Sequence, residues 1–233
     1  MAQPIVHFEL SAQDPRAAGE WYNKLFGWPV TVEERWDYVM VTTQERFGGG
    51  FNLVGPEMPA GTSIVYIATD DFDATVQRIE DAGGEVVMAR QDLPGVGAIG
   101  TFKDPTGNIV GLIQPDMSAM ENAPPPTQQT YLHPIAHFEL SANYPRAAGE
   151  WYNNLFGWPP TYHPAFNYVT FTTEGQFGGG FSDVSQGLPA GTTVIYVHTD
   201  DIGAKVAQIR EAGGVVMLEP TAMPGAGVIG MIQ

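Results

Sequence analysis

The chain has 233 residues, enough for two ordinary domains with substantial cores. Its 26 acidic side chains against 10 basic ones give a formal charge of −16 with no basic run to offset it, which argues against nucleic acid and anionic membrane as partners. The absence of cysteine excludes a disulfide, a thiolate nucleophile and a Cys-ligated metal centre, so a metal ion would have to use His, Glu and Asp. The N-terminal Met-Ala-Gln-Pro-Ile lacks a basic leader region, and no stretch reaches the roughly 18 apolar residues of a spanning helix, so the expectation is a soluble cytoplasmic protein.

In chain order, Ile5 to Leu10 reads as a strand, with Ile5, His7 and Glu9 on one face and Val6, Phe8 and Leu10 on the other. Asp14 is suited to cap a helix with Pro15 at its first position. Ala18, Trp21, Tyr22, Leu25 and Phe26 recur at helical spacing until Gly27. Strands are expected at Tyr38 to Thr43 and Gly49 to Val54, with a weakly marked one near Val30 to Glu34; the run Gly48-Gly49-Gly50 allows a bulge or a close backbone approach. The pattern then restarts. Ile64 to Thr69 is a strand, Asp70 or Asp71 caps a helix carrying Val76, Ile79 and Ala82, and Gly83-Gly84 stops it. Glu85 to Met88, Gly97 to Phe102 and Asn108 to Ile113 supply three more strands, with Asp104-Pro105-Thr106-Gly107 as a turn.

The whole pattern occurs twice. A shift of 130 residues places Pro4 to Lys103 on Pro134 to Gln233 without a gap, with about half the positions identical. In the second copy Tyr144 replaces the capping Asp14, which predicts a weaker cap. The predicted organisation is a first domain at residues 1–116, a Pro-rich linker at 117–132 and a second domain at 133–233, each domain carrying two modules. Gly227 to Gln233 aligns with Gly97 to Lys103, so the second domain is expected to lack its last strand. A rival match sets Val228 to Gln233 on the last strand through an internal deletion. A missing strand exposes an edge, which predicts a homo-oligomer or strand donation at that end.

The residues His-Phe-Glu-Leu-Ser-Ala, Pro-Arg-Ala-Ala-Gly-Glu-Trp-Tyr-Asn-x-Leu-Phe-Gly-Trp, Asp-Asp-x-x-Ala, Ala-Gly-Gly and Asp-Pro-Thr-Gly-Asn-x-x-Gly-Leu together resemble the vicinal oxygen chelate superfamily. Glyoxalase-like, bleomycin-resistance and dioxygenase-like proteins belong to it, and the likeness covers nearly all of the chain outside the linker. It implies an α+β fold of tandem glyoxalase-like domains, each made of two βαβββ modules forming an open, cup-shaped mixed sheet. In metal-dependent members four ligands come from four strands. The resemblance places His7, and in the second copy His137, at the first-strand ligand. The other slots fall on Phe51 with Asn52 beside it, Ile64 and Gly111, and in the second copy on Phe181 with Ser182 and on Val194. A catalytic zinc site takes at least three protein donors, so the count predicts no superfamily-type metal in either cup.

His7 and Glu9 stand about 6.6 Å apart along one strand face, and a carboxylate and imidazole on an apolar strand are costly in a dry core. They line a pocket or form a satisfied buried pair. Tyr66 and Tyr196 share strand parity with Ile64 and Val194, as does His198, where the first copy has Ala68. Tyrosine in such a place is commonly core with its hydroxyl at the rim. His133 and His163 fall in linker and loop and are expected to be solvated. Trp21, Trp28, Trp151 and Trp158 read as helix-to-sheet packing, Asp70-Asp71 and Asp200-Asp201 as caps, and the glycine runs lack the Lys-Ser/Thr of a phosphate loop.

The leading expectation is a protein that binds a small, partly apolar molecule in its cups through His7, Glu9, Phe51, Tyr66, His137, Glu139, Phe181, Tyr196 and His198, with no cofactor. Two other readings stay open. One is a metal-dependent lyase or dioxygenase drawing on His7, Glu9, His137 and Glu139 for a divalent ion. The other is a non-catalytic scaffold.

Overall fold

A computed structural model describes residues 2–44, 47–56, 58–118, 131–174, 177–223 and 227–233. Most of the expected linker, 119–130, lies outside the described residues. The fold is α+β with mixed sheets, as the sequence leads one to expect. In order, the first copy carries β1 (Ile5–Ala12), α1 (Pro15–Phe26), β2 (Val30–Glu33), β3 (Tyr38–Gln44), β4 (Phe47–Leu53), β5 (Ser63–Ala68), α2 (Phe72–Asp81), β6 (Glu85–Leu93), β7 (Gly97–Lys103) and β8 (Ile109–Pro115). The second carries β9 (Ile135–Ala142), α3 (Pro145–Phe156), β10 (Pro160–His163), β11 (Tyr168–Thr172), β12 (Gly178–Asp183), β13 (Thr193–Val197), α4 (Ile202–Glu211), β14 (Val216–Met223) and β15 (Gly227–Ile232).

Local chemistry sets the helix ends. Asp14 accepts from the Ala17 N–H, Pro15 opens α1, and Gly27 closes it at φ 68° with its N–H on Asn23 O. Tyr144 gives α3 no side-chain cap. Asp71, not Asp70, caps α2. The weakly marked strand after α1 is present as β2, paired antiparallel with β3. Strand β6 runs to Leu93, five residues beyond the expected end, because its bulged pairing with β7 continues to Leu93 opposite Gly97.

The chain divides into two compact units, and each draws on both copies. The first comprises Met1–Glu9, Thr62–Thr127 and Ala136–Tyr196. In it β5 pairs parallel with β8, β8 antiparallel with β7 and β7 antiparallel with β6. The strand series β10, β11, β12, β9, β13 ends on β13. Trp151 Nε1 donates to Ala82 O at 2.9 Å, at the end of α2, and Trp158 Nε1 donates to Gln3 O at 2.7 Å. The Trp158 indole is fully buried, stacked between Tyr152 at 5.2 Å and Phe171 at 4.6 Å.

The second unit comprises Leu10–Gly61, Gln128–Ile135 and Val197–Gln233. In it β2, β3 and β4 pair antiparallel in sequence, and β14 and β15 form a two-stranded hairpin against which α4 packs. The equivalent ties recur. Trp21 Nε1 donates to Ala212 O at 2.9 Å, at the end of α4, and Trp28 Nε1 donates to His133 O at 2.7 Å. The four tryptophans are thus packing residues whose indole N–H groups each find a carbonyl, which buried indoles need. His133, expected in solvent, is half-buried with Nδ1 3.0 Å from His198 O, and His163 places Nε2 3.0 Å from Thr170 Oγ1.

The hairpin registers decide between the two sequence matches at the C-terminal end. Val216 faces Ile232, Leu218 faces Met231 and Met223 faces Gly227, repeating Val86 with Phe102, Met88 with Thr101 and Leu93 with Gly97. Strand β15 is therefore the counterpart of β7, and no counterpart of β8 pairs with it among the described residues.

Candidate functional site

Two clusters gather around the repeated His-x-Glu strands, both within the first unit. On β1, Glu9 Oε2 accepts from the Tyr66 hydroxyl at 2.8 Å, and the His7 and Tyr66 rings meet edge to face with centroids 5.6 Å apart. On β9, His137 Nε2 lies 2.8 Å from the Tyr168 hydroxyl, and both Tyr168 and Tyr196 donate to Glu139 Oε2 at 3.3 Å. The His137 and Tyr196 rings repeat the edge-to-face contact at 5.6 Å. His137, Glu139, Tyr168 and Tyr196 are all partly exposed, so this cluster is reachable from solvent.

Glycine makes room for these tyrosines. A Cβ at Gly111, opposite Tyr66 in the β5–β8 register, would sit 2.2 Å from the Tyr66 ring, and one at Gly180 would sit 1.9 Å from the Tyr168 hydroxyl. The same pairing holds in the second unit, where a Cβ at Gly50 would meet the Tyr38 hydroxyl at 2.1 Å. The third residue of each Gly-Gly-Gly run is thus the seat of a phenol. Gly180→Ala is expected to cost about 1–3 kcal/mol in urea unfolding, because the methyl must displace Tyr168. Gly55→Ala, where nothing lies within 4 Å, serves as control with an expected change near zero.

Burial governs the electrostatics. It lowers the His7 imidazole to about 4 and shifts His137 in the same direction, so both rings are neutral at neutral pH. Burial raises Glu139, partly offset by Ser182, Tyr196 and Tyr168. Tyr66, Tyr168 and Tyr196 are pushed up first by burial and then by the neighbouring carboxylates. Because the Tyr168 hydroxyl donates to Glu139, its oxygen accepts from His137 Nε2–H, the tautomer this pairing selects. Two of the roughly four lone-pair sites of the carboxylate are then in use.

The structure brings His7, Glu9 and Tyr66 together, and likewise His137, Glu139 and Tyr196. Phe51 is 1 % exposed against Tyr22, and Phe181 is fully buried against Tyr152 and Phe171; both pack as core. His198 lies one residue past the end of β13, 53 % exposed with Nε2 3.9 Å from Asp200. Tyr168 was not singled out by the sequence. Its signal was available, since Tyr38 and Tyr168 stand at matching positions directly after a run, 32–37 against 162–167, in which every residue differs between the copies.

Each cluster supplies one imidazole and one carboxylate, and the further ligand slots implied by the resemblance hold Ile64, Val194 and Gly111. Among the described residues no three His, Asp or Glu side chains gather to hold an ion. This donor set does not fit a divalent metal held by three or four protein ligands. A separate concavity of about 320 Å³ lies between α2 and strands β6 and β7, lined by Phe72, Val76, Met88, Arg90 and Phe102 among others, with no imidazole in its wall. No helix among the described residues is long and apolar enough to cross a membrane.

Comparison with known proteins bears on this geometry. Residues 4–112 match the sequence model of the Glyoxalase/Bleomycin resistance protein/Dioxygenase superfamily. A Mycobacterium tuberculosis protein provisionally named glyoxylase CFP32 is 29 % identical over 234 residues, spanning 94 % of this chain and 86 % of the relative. The anthracycline biosynthesis protein DnrV of Streptomyces peucetius is 36 % identical over 120 residues, 43 % of this chain and 42 % of that one. Among solved structures, 2,2',3-trihydroxybiphenyl 1,2-dioxygenase of Sphingomonas wittichii aligns with a TM-score of 0.61 at 14 % identity, covering 97 % of this chain and 84 % of that one. A catechol 2,3-dioxygenase aligns at 0.60 and 14 %, covering 98 % and 84 %. At that identity the likeness speaks to fold.

Proposed function

We propose that this chain, whose residues 4–112 match the Glyoxalase/Bleomycin resistance protein/Dioxygenase superfamily model, belongs to that superfamily, and that its His-Glu-Tyr clusters bind a small, partly apolar molecule bearing a hydrogen-bonding oxygen, without a superfamily-type metal. The observation that carries this reading is the hydrogen-bonded chain of His137, Tyr168, Glu139 and Tyr196 on a partly exposed strand face. A neutral imidazole, two phenols and a carboxylate of raised proton affinity can each donate to or accept from a hydroxyl or carbonyl of a ligand, and the aromatic rings supply apolar contact. The partner in this reading is a small molecule at the clusters. The repeat units we infer are the two copies, 1–116 and 133–233, joined at 117–132, and each compact unit draws on both.

The test is a thermal-shift screen with small phenols, enols and hydroxyketones. A ligand at about 100 times its Kd adds roughly 2.7 kcal/mol and raises Tm by several degrees. Glu139→Gln and Tyr168→Phe should each weaken a hit about tenfold. A screen with no shift would favour a scaffold. Stoichiometric divalent ion in protein purified without chelators would overturn the metal-free reading and favour a metal-dependent lyase or dioxygenase.

A further inference from the structure

The concavity beside α2 has no residue of β1 or β9 in its wall and is built on a different principle from the clusters. On α2, Asp73, Val76, Gln77 and Glu80 stand at i, i+3, i+4 and i+7, which sets them in one stripe along the recess. Across from them Val86, Met88 and Arg90 of β6 alternate onto one side of the strand and form the facing wall. The buried Gly100 and Leu112, opposite each other in the β7–β8 register, close the bottom of this trough. A Cβ at Gly100 would come within 2.7 Å of the Phe72 ring, so the glycine is what lets Phe72 seat itself at the end of the trough.

The two ends of the trough differ in charge. At one end Arg90 Nη1 donates to Asp73 Oδ2 at 3.2 Å, bridging α2 and β6, while Nη2 donates to Asp92 Oδ1 at 2.9 Å and the guanidinium lies 5.6 Å from the centre of the Phe72 ring. This cation is already held by two carboxylates and a ring face. At the other end, about 10 Å along the helix axis from Asp73, the exposed Glu80 carboxylate has no ion pair or hydrogen bond among the described residues. The second copy shows that the packing does not require these charges. Val76, Val86 and Met88 correspond to Val206, Val216 and Leu218, whereas Asp73, Glu80 and Arg90 correspond to Gly203, Arg210 and Pro220.

We propose that this trough is a second ligand site, independent of the His-Glu-Tyr clusters, for an organic ammonium ion carrying an apolar body. The body lies on Val76, Val86 and Met88, and the ammonium group meets Glu80. A volume of about 320 Å³ is at the lower end of small-molecule pockets, which limits the ligand to one or two rings or a short alkyl chain. The charge of the ligand follows from the wall: Arg90 is occupied, Glu80 is not, and a chain of formal charge −16 attracts cations and repels anions.

The test is a methyl-resolved NMR titration of the full chain with three probes that share one skeleton: naphthylmethylammonium, naphthylmethanol and naphthoate. The ammonium probe should shift the Val76, Val86 and Met88 methyl signals saturably, the alcohol about fivefold more weakly, and the carboxylate should leave them in place. Glu80→Gln should bring the ammonium probe down to the affinity of the alcohol; the side chain is exposed, so the fold is kept. Glu211→Gln, an exposed site on α4 with the same loss of charge, should leave the affinity unchanged and so separates a local contact from net charge. Equal binding of ammonium and alcohol, tighter binding of the carboxylate, or an unchanged affinity in Glu80→Gln would each overturn the proposal. Shifts confined to the methyl groups around the β9 cluster would overturn it while supporting the cluster as the ligand site.

Discussion

Asp104→Ala is expected to lower stability by about 3–5 kcal/mol, read as the free energy extrapolated from urea unfolding at pH 7. The reason is the number of donors that converge on one 3 %-exposed carboxylate. Oδ1 accepts from the Thr106 N–H and hydroxyl at 2.8 Å and from the Asn108 N–H at 2.9 Å. Oδ2 accepts from Asn108 Nδ2 at 2.9 Å and from the Tyr152 hydroxyl at 3.0 Å. Truncation leaves the fully buried Tyr152 and Asn108 with donors they cannot satisfy, and stranded donors cost more than the bond itself contributed. Asp104→Asn keeps the shape but turns one acceptor into a donor, so about 1–3 kcal/mol is expected. Equal, small effects for the two variants would show that the turn tolerates water in place of the carboxylate.

Stability should also fall as pH is lowered, and His7 should account for about 3 kcal/mol of that fall between pH 6.5 and 4. The folded state holds this imidazole near 4, against 6.5 when unfolded. Within that window the unfolded chain binds a proton that the folded chain does not, so stability rises with pH and is lost on acidification. Below about pH 4 both states are protonated and the term is spent. Glu139 works in the opposite sense. Its folded value is raised, so above the ordinary carboxylate range the folded state holds more proton and stability falls as pH rises. The comparison that isolates His7 is wild type against His7→Gln in urea melts at pH 7 and pH 4, since the Glu139 and His137 contributions are common to both. Parallel pH profiles for the two proteins would show that the ring is protonated in place.

Much of the fold is legible in the sequence because the signals are local and repeated. Pro15 and Gly27 punctuate a helix whatever surrounds them, and duplication states each signal twice. The site is legible only in part. The alternation of β1 and β9 places His7 with Glu9 and His137 with Glu139, but the partner Tyr168 arrives from β11 and reaches them only because Gly180 has no side chain. Strand parity extends as far as the strand does. It carries Tyr196 to Glu139 and gives no guidance at His198, because β13 stops at Val197. Phe51 and Phe181 occupy the face turned to the helices, where aromatic stacking takes them into the core. Asp104 reads as a turn residue in the sequence; that it also anchors Tyr152, 48 positions later, depends on a contact no local pattern encodes.

The composition of the two compact units has a consequence for how the molecule is made. Neither unit can close from the first copy alone, because one needs Ala136–Tyr196 and the other Val197–Gln233. At roughly 5–20 residues added per second, a ribosome that has finished residue 116 still needs on the order of 4–16 s to deliver Tyr196. Throughout that interval the Ala82 and Gln3 carbonyls await the indoles of Trp151 and Trp158. Closure of either unit therefore waits on synthesis of the second copy.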